Sequence, residues 1–118
     1  MFDFEKLDLY QVIRDQNTKV LKFILEHGEL DPFIRDEWKK ASLSIVLNLA
    51  EGTGRMASAE KRNFITIARG SVFGAVAILD IAHQLGFVDD LTYQEFYDGY
   101  EKISKMLLGM IRSYSQEK

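Results

Sequence analysis

The segment Ser42-Leu43-Ser44-Ile45-Val46-Leu47-Asn48-Leu49 places Leu43, Ile45, Leu47 and Leu49 in alternation with Ser42, Ser44, Val46 and Asn48. A period of two is the pattern of a half-buried strand. Helix is favoured on two grounds. No second strand-like run exists to pair with it, and a lone strand leaves its backbone N–H and C=O groups without partners. Trp38, Ala41, Ile45 and Leu49 also fall on one helical stripe. The segment therefore reads as part of a helix over about 33–51 with apolar groups on more than one face.

The flanking sequence supports that reading. Tyr10, Ile13, Asn17, Val20 and Ile24 are spaced 3-4-3-4, predicting an amphipathic helix over about 5–27. His27-Gly28 closes it, glycine being able to take a left-handed cap. Pro32, the single proline, sits between this helix and the next, where proline begins or precedes a helix. Gly52 and Gly54 break the chain again, and Ser58 is the expected N-cap of a third helix over about 58–86. Its main stripe is Phe64, Ile67, Ser71, Gly74, Ile78, Ile81 and Leu85, with Gly86 as the stop. At 1.5 Å per residue this helix is roughly 40 Å long. Asp90 and Thr92-Tyr93-Gln94-Glu95 form a capping arrangement that opens a fourth helix over about 92–115. Its stripe is Tyr93, Phe96, Tyr100, Ile103, Leu107, Met110 and Tyr114. Short connections make neighbouring helices antiparallel. The expected fold is all-α, an antiparallel up-down four-helix bundle, with residues 1–118 as one domain.

The third helix carries a second apolar series, Ala68, Val72, Ala75, Leu79 and Ala82, and the second helix is similarly apolar at Leu43, Val46, Leu47 and Ala50. Together these exceed what one four-helix core consumes. Leu43, Val46, Leu47, Val72 and Leu79 are therefore the expected face between copies of the chain.

Composition limits the chemistry. Of 118 residues 47% are hydrophobic, sufficient for one core, and cysteine is absent, which removes disulfides and thiolate sites. No secretory signal is readable in residues 1–6, and no run of about 18 consecutive apolar residues predicts a spanning helix. A soluble, cytoplasmic protein without membrane contact is expected. The net charge is −3, divided as −3 over residues 1–34, +3 over 35–70 and −3 over 71–118. Only the middle segment leans toward nucleic acid, whose phosphates bind cations with release of counterions.

Enzyme sites are hard to assemble from these residues. A di-iron bundle needs two Glu-x-x-His motifs and two further carboxylates. Asp80 and His83 form a single i,i+3 pair, and the other histidine, His27, sits at a helix end. Gly52-Thr53-Gly54 has no preceding strand and no following Gly-Lys-Ser/Thr, so it reads as a turn and not a phosphate loop. No enzyme, no cofactor and no metal site are expected. Asn48 and Glu51 stand near the end of the second helix, where the dipole and desolvation disfavour a carboxylate. Arg69 or Arg55 is the expected counter-charge, in a structural polar network of Asn48, Glu51, Arg69 and Ser71.

Ser44-Ile45, Asn48-Leu49-Ala50-Glu51-Gly52, Arg55, Ser58, Phe64 and Ile67-Ala68-Arg69-Gly70-Ser71 resemble the signature of a bacterial four-helix-bundle family. Members of that family were first noticed encoded in intervening sequences of 23S ribosomal RNA and are often called ribosomal proteins. Leu85-Gly86-Phe87 and Ile103-Ser104-Lys105-Met106-Leu107 extend the likeness over most of the chain. The resemblance implies a homopentamer. It also implies kinship with accessory proteins of diversity-generating retroelements, which bind nucleic acid through a basic surface. Gly74 departs from the family pattern, which usually has a glutamate there, and Asp31-Pro32-Phe33-Ile34-Arg35 departs from the usual proline-plus-glutamate pattern.

Two functions follow as expectations. In the first, a homo-oligomeric bundle binds RNA or a ribonucleoprotein through Lys39, Lys40, Arg55, Lys61 and Arg62, gathered by assembly into one ring. In the second, the chain is a protein-interaction module with no nucleic-acid binding, its surface being the apolar excess or the aromatic group Tyr93, Phe96, Tyr97 and Tyr100.

Overall fold

The computed structural model describes residues 1–116. After a 3-10 turn at Asp3–Lys6 the chain forms α1 (Asp8–Glu26), α2 (Pro32–Thr53), α3 (Ser58–Gln84) and α4 (Asp90–Gln116). They make an antiparallel up-down four-helix bundle measuring 49 × 24 × 22 Å. The segment Ser42 to Leu49 lies wholly inside α2.

Local chemistry sets the helix ends. Asp31 caps α2, its carboxylate accepting from the backbone N–H of Phe33 at 3.0 Å and of Ile34 at 3.1 Å. Pro32, in the first turn, loses no helical hydrogen bond there. Arg35 secures the preceding turn, its Nη2 lying 2.9 Å from the carbonyl of Gly28 and 3.2 Å from that of Leu30. That turn does without a left-handed glycine. Gly28 has an ordinary φ, and only Gly86, at φ +84°, has a positive φ among the described residues. Two predicted caps move by one residue. Ala57, not Ser58, is the N-cap of α3, and Ser58 is its first helical residue. At α4 the cap is Asp89, whose Oδ1 accepts from Thr92 N–H at 2.8 Å, while Asp90 already belongs to the helix. The Thr92 N–H also holds the Asp89 carboxyl below its usual pKa.

The core runs the length of the bundle. Ile13, Val20 and Ile24 come from α1, Trp38, Ile45 and Leu49 from α2, and Phe96, Tyr100, Ile103 and Leu107 from α4. Burial of each large side chain contributes about 1.5–3 kcal/mol. Around Trp38 the rings of Phe23 and Phe96 pack at tilted and edge-on angles, centroids 5.9 and 6.1 Å away.

In α3 the two apolar series exchange roles. Ile65, Ala68, Val72, Ala75, Leu79 and Ala82 form the core stripe. The series expected to lead, Phe64 to Leu85, runs along the flank, with Ile67, Ile81 and Leu85 exposed. Val72 and Leu79 are therefore not on an outer face. α2 and α4 converge on them from both sides and exclude solvent.

α3 is also, by length and composition alone, apolar enough to cross a membrane, with mean hydropathy 1.7 over its most apolar 18-residue window. Counting consecutive apolar residues misses this, because Arg69, Gly70, Ser71, Gly74 and Asp80 interrupt the run, while the many Ile, Val, Leu, Phe and Ala residues around them keep the mean high. In the bundle, one stripe of that apolarity packs in the core, while the rest lies on the flank beside α2 or, at Phe73 and Val76, on the side facing α4.

Candidate functional site

Large exposed apolar side chains are spread over the bundle, and five of them lie on the outward faces of α2 and α3. Phe33, Leu43, Leu47, Ile67 and Ile81 are each between 48% and 73% exposed, high values for side chains of this size. Phe33 and Ile81 border a depression of about 360 Å³, completed by Ile34, Glu37 and Ile78. Between the two ends Gly70 and Gly74 have open space where a side chain would stand. These positions outline a partly apolar seam on the outer face of α2 and α3, interrupted on α2 by the exposed Lys40 and Glu51. Of the five residues expected on a face between copies, Leu43 and Leu47 belong to it. Val46 is half-buried against the core, and Val72 and Leu79 lie within the core.

Beneath the seam α2 and α3 are joined by polar contacts. The hydroxyls of Ser44 and Ser71 are 2.7 Å apart, and the Asn48 amide donates to the Ser44 carbonyl at 2.8 Å and to its hydroxyl at 3.1 Å. At the end of this contact Gly52 allows the closest approach. A Cβ there would stand 2.8 Å from Phe64 Cβ. The four residues of the expected network do not all meet. Asn48 and Ser71 meet through Ser44. Glu51 is exposed and makes no ion pair among the described residues, because at the open end of α2 water solvates it and no cation is required. Arg69 turns the other way, its Nε donating to the Ser104 carbonyl on α4 at 3.2 Å and its guanidinium lying 4.8 Å from the Phe73 ring centre. Arg55 stacks on Phe64 at 4.6 Å.

A second polar set, within the core, went unread in the sequence. Trp38 Nε1 donates to the Tyr100 hydroxyl at 3.0 Å, Ser42 donates to the Trp38 carbonyl at 2.9 Å, and Asn17 donates to the Ser42 carbonyl at 2.7 Å. Gln16 donates to the Phe96 carbonyl at 2.9 Å, filling the space left by Gly99, where a Cβ would collide with it. Burial pushes the Tyr100 hydroxyl up to about 12. Asn17 in an otherwise apolar stripe was the available signal.

The five basic residues proposed for nucleic acid divide into two groups. Arg55, Lys61 and Arg62 cluster around the α2–α3 turn, with Lys61 5.8 Å from the Tyr114 ring centre. Lys39 and Lys40 lie more than three turns back along α2, roughly 20 Å away. Lys40 is also 3.5 Å from Glu37. One protomer therefore carries a compact basic end and a separate basic pair.

The histidines are engaged locally. His83 Nε2 is 2.7 Å from the Asp90 carboxylate, not paired with Asp80, and its ring stacks on Tyr93 at 4.3 Å. His27 stacks on Phe23 at 3.9 Å, with Nδ1 2.7 Å from that residue's carbonyl. The aromatic group of α4 splits, with Tyr93 and Tyr97 packed 5.8 Å apart at the surface. Phe96 and Tyr100 are buried, Tyr93 faces His83, and Tyr97 alone is exposed.

Comparison with known proteins agrees with this architecture. A crystal structure described as a protein with unknown function from the S23 ribosomal protein family of Bacteroides thetaiotaomicron superposes with a TM-score of 0.81 at 15% identity. The match covers 87% of this chain and 97% of that one, and it establishes likeness of fold. No curated protein matches. Residues 5–109 match the family described as 23S rRNA-intervening sequence protein, and with nearly the whole length accounted for, the chain belongs to that family.

Proposed function

We propose that this protein is a non-enzymatic assembly module that self-associates through the α2–α3 seam. The exposed apolar seam carries the reading, since five large apolar side chains in water are costly unless another surface covers them. A strip two helices wide and as long as α2, roughly 33 Å, has an area on the order of the 800 Å² per partner that stable interfaces bury. The open positions at Gly70 and Gly74 let a neighbouring helix approach closely. A homopentamer is the count that the family resemblance implies. The test is light scattering on the purified chain, which should give a fixed multiple of the 13.6 kDa protomer mass. A protomer mass at every concentration would dismiss the proposal.

A second reading has the assembled ring bind RNA or a ribonucleoprotein. It is supported by Arg55, Lys61 and Arg62 clustering at one end of the bundle, where rotational symmetry would repeat the cluster around a ring. Affinity for RNA should then fall steeply as salt rises. RNA binding that is absent, or indifferent to salt, leaves the assembly module without nucleic acid, pairing with itself or another protein.

A further inference from the structure

On the side of α3 opposite the seam, a groove of about 360 Å³ runs between α3 and α4. Arg69 and Lys105 contribute cations, Val72 and Val76 an apolar wall, and Phe73 and Tyr97 exposed aromatic rims. Tyr100 lies beneath, its hydroxyl engaged by Trp38, so that it serves the groove as an aromatic floor. The volume falls in the lower part of the range for small-molecule sites, which are mostly apolar with a few fixed polar groups.

Arg69 is the fixed group. Its Nε is anchored on the Ser104 carbonyl, and Phe73 supports the face of the guanidinium. Among the described residues no carboxylate pairs with it, and its two terminal amino groups make no hydrogen bond. The single acidic residue of the lining, Glu101, lies 3.9 Å from Lys105. The groove thus holds two cations against one carboxylate. A planar guanidinium held by its Nε presents a two-pronged donor suited to a carboxylate.

We propose that the α3–α4 groove binds a small monocarboxylate with a flat apolar body, such as an aryl-acetate. The carboxylate pairs with Arg69 and the ring lies between Phe73, Tyr97 and the Val72–Val76 wall. This site is independent of the α2–α3 seam.

The test is isothermal titration of the full chain with indole-3-acetate, repeated with the neutral indole-3-acetamide. Saturable binding of the acid is expected, at least tenfold tighter than the amide. Arg69→Met should abolish it, Arg69→Lys should weaken it several-fold, and Phe73→Ala should weaken acid and amide together. Circular dichroism checks that each variant keeps its helices. Should Arg69→Met fail to fold, the exposed Phe73→Ala substitution and the acid-to-amide ratio decide the outcome. Equal binding of acid and amide, wild-type affinity in Arg69→Met or Phe73→Ala, or no saturation at millimolar ligand would each overturn the proposal. So would occlusion of the groove by a second copy, seen as perturbation of Tyr97 on concentrating the protein without ligand.

Discussion

Trp38 and Tyr100, on α2 and α4, share a 3.0 Å hydrogen bond while both side chains are fully buried. The bond crosses the bundle diagonal and engages the only polar side-chain atoms of these two residues. Changing Trp38 to Phe removes the indole donor and leaves the Tyr100 hydroxyl only the Ser42 side chain as a polar neighbour. Loss of an intact buried partner costs about 1–3 kcal/mol, in addition to the cavity left by the smaller ring. Chemical denaturation of Trp38→Phe, Tyr100→Phe and the double variant should give a coupling of about 0.5–3 kcal/mol. Strict additivity would mean that the bond contributes nothing.

The same tyrosine predicts a loss of stability in alkali. Burial raises Tyr100 to about 12 in the folded protein, against 10.0 ordinarily. Between those values the unfolded chain gives up its phenolic proton and the folded chain keeps it, so stability falls as pH rises. The contribution is complete below about pH 10 and is lost progressively toward pH 12, amounting to roughly 2–3 kcal/mol at most. Unfolding free energies measured from pH 8 to 11.5 should decline more steeply for the wild type than for Tyr100→Phe. Parallel curves would refute this account of Tyr100.

Two glycines should respond to alanine with opposite signs. At Gly52 the new Cβ meets Phe64 Cβ at 2.8 Å and Ile65 Cδ1 at 3.2 Å, so α2 and α3 must separate. Overpacking of this kind costs about 1–3 kcal/mol. Gly109, within α4, has nothing within 4 Å of the added carbon, and alanine there should stabilise by about 0.5–1 kcal/mol through helix propensity. Thermal melts of the two variants check both signs at once.

The α2 cap offers a cleaner helix-end test. Asp31→Ala removes the acceptor for Phe33 N–H and Ile34 N–H and should cost about 0.5–2 kcal/mol. Asp31→Ser should recover most of that loss. Equal loss in both variants would point to Pro32 and Arg35, not the cap, as what fixes this turn.

The amphipathic helices were readable because their patterns admit one solution. The α4 stripe from Phe96 to Leu107 and the α1 stripe from Ile13 to Ile24 are buried as the spacing requires. The α3 sequence is apolar nearly all round, so periodicity offered two adjacent stripes and no basis for ranking them. The neighbours decide: α2 and α4 close over Val72 and Leu79 and leave Ile67 and Ile81 outside. Arg69 was misassigned for a related reason. The choice between Glu51 and the Ser104 carbonyl depends on which side of α3 each neighbouring helix occupies. The caps at Ala57 and Asp89 differ from Ser58 and Asp90 by single residues because serine and aspartate are tolerated on both sides of a helix start. The core polar set stayed hidden because Gln16, Ser42 and Trp38 have unremarkable sequence neighbours and meet only across helices.

The seam itself is testable by charge. Leu47→Glu together with Ile67→Glu places carboxylates on two exposed positions, one on each helix, without entering the core. Light scattering coupled to size exclusion, run on the wild type and this double variant, should show a discrete oligomer becoming a folded 13.6 kDa protomer. A wild type that stays monomeric when concentrated, or a double variant that assembles as the wild type does, would contradict the seam as the surface through which copies of this bundle meet.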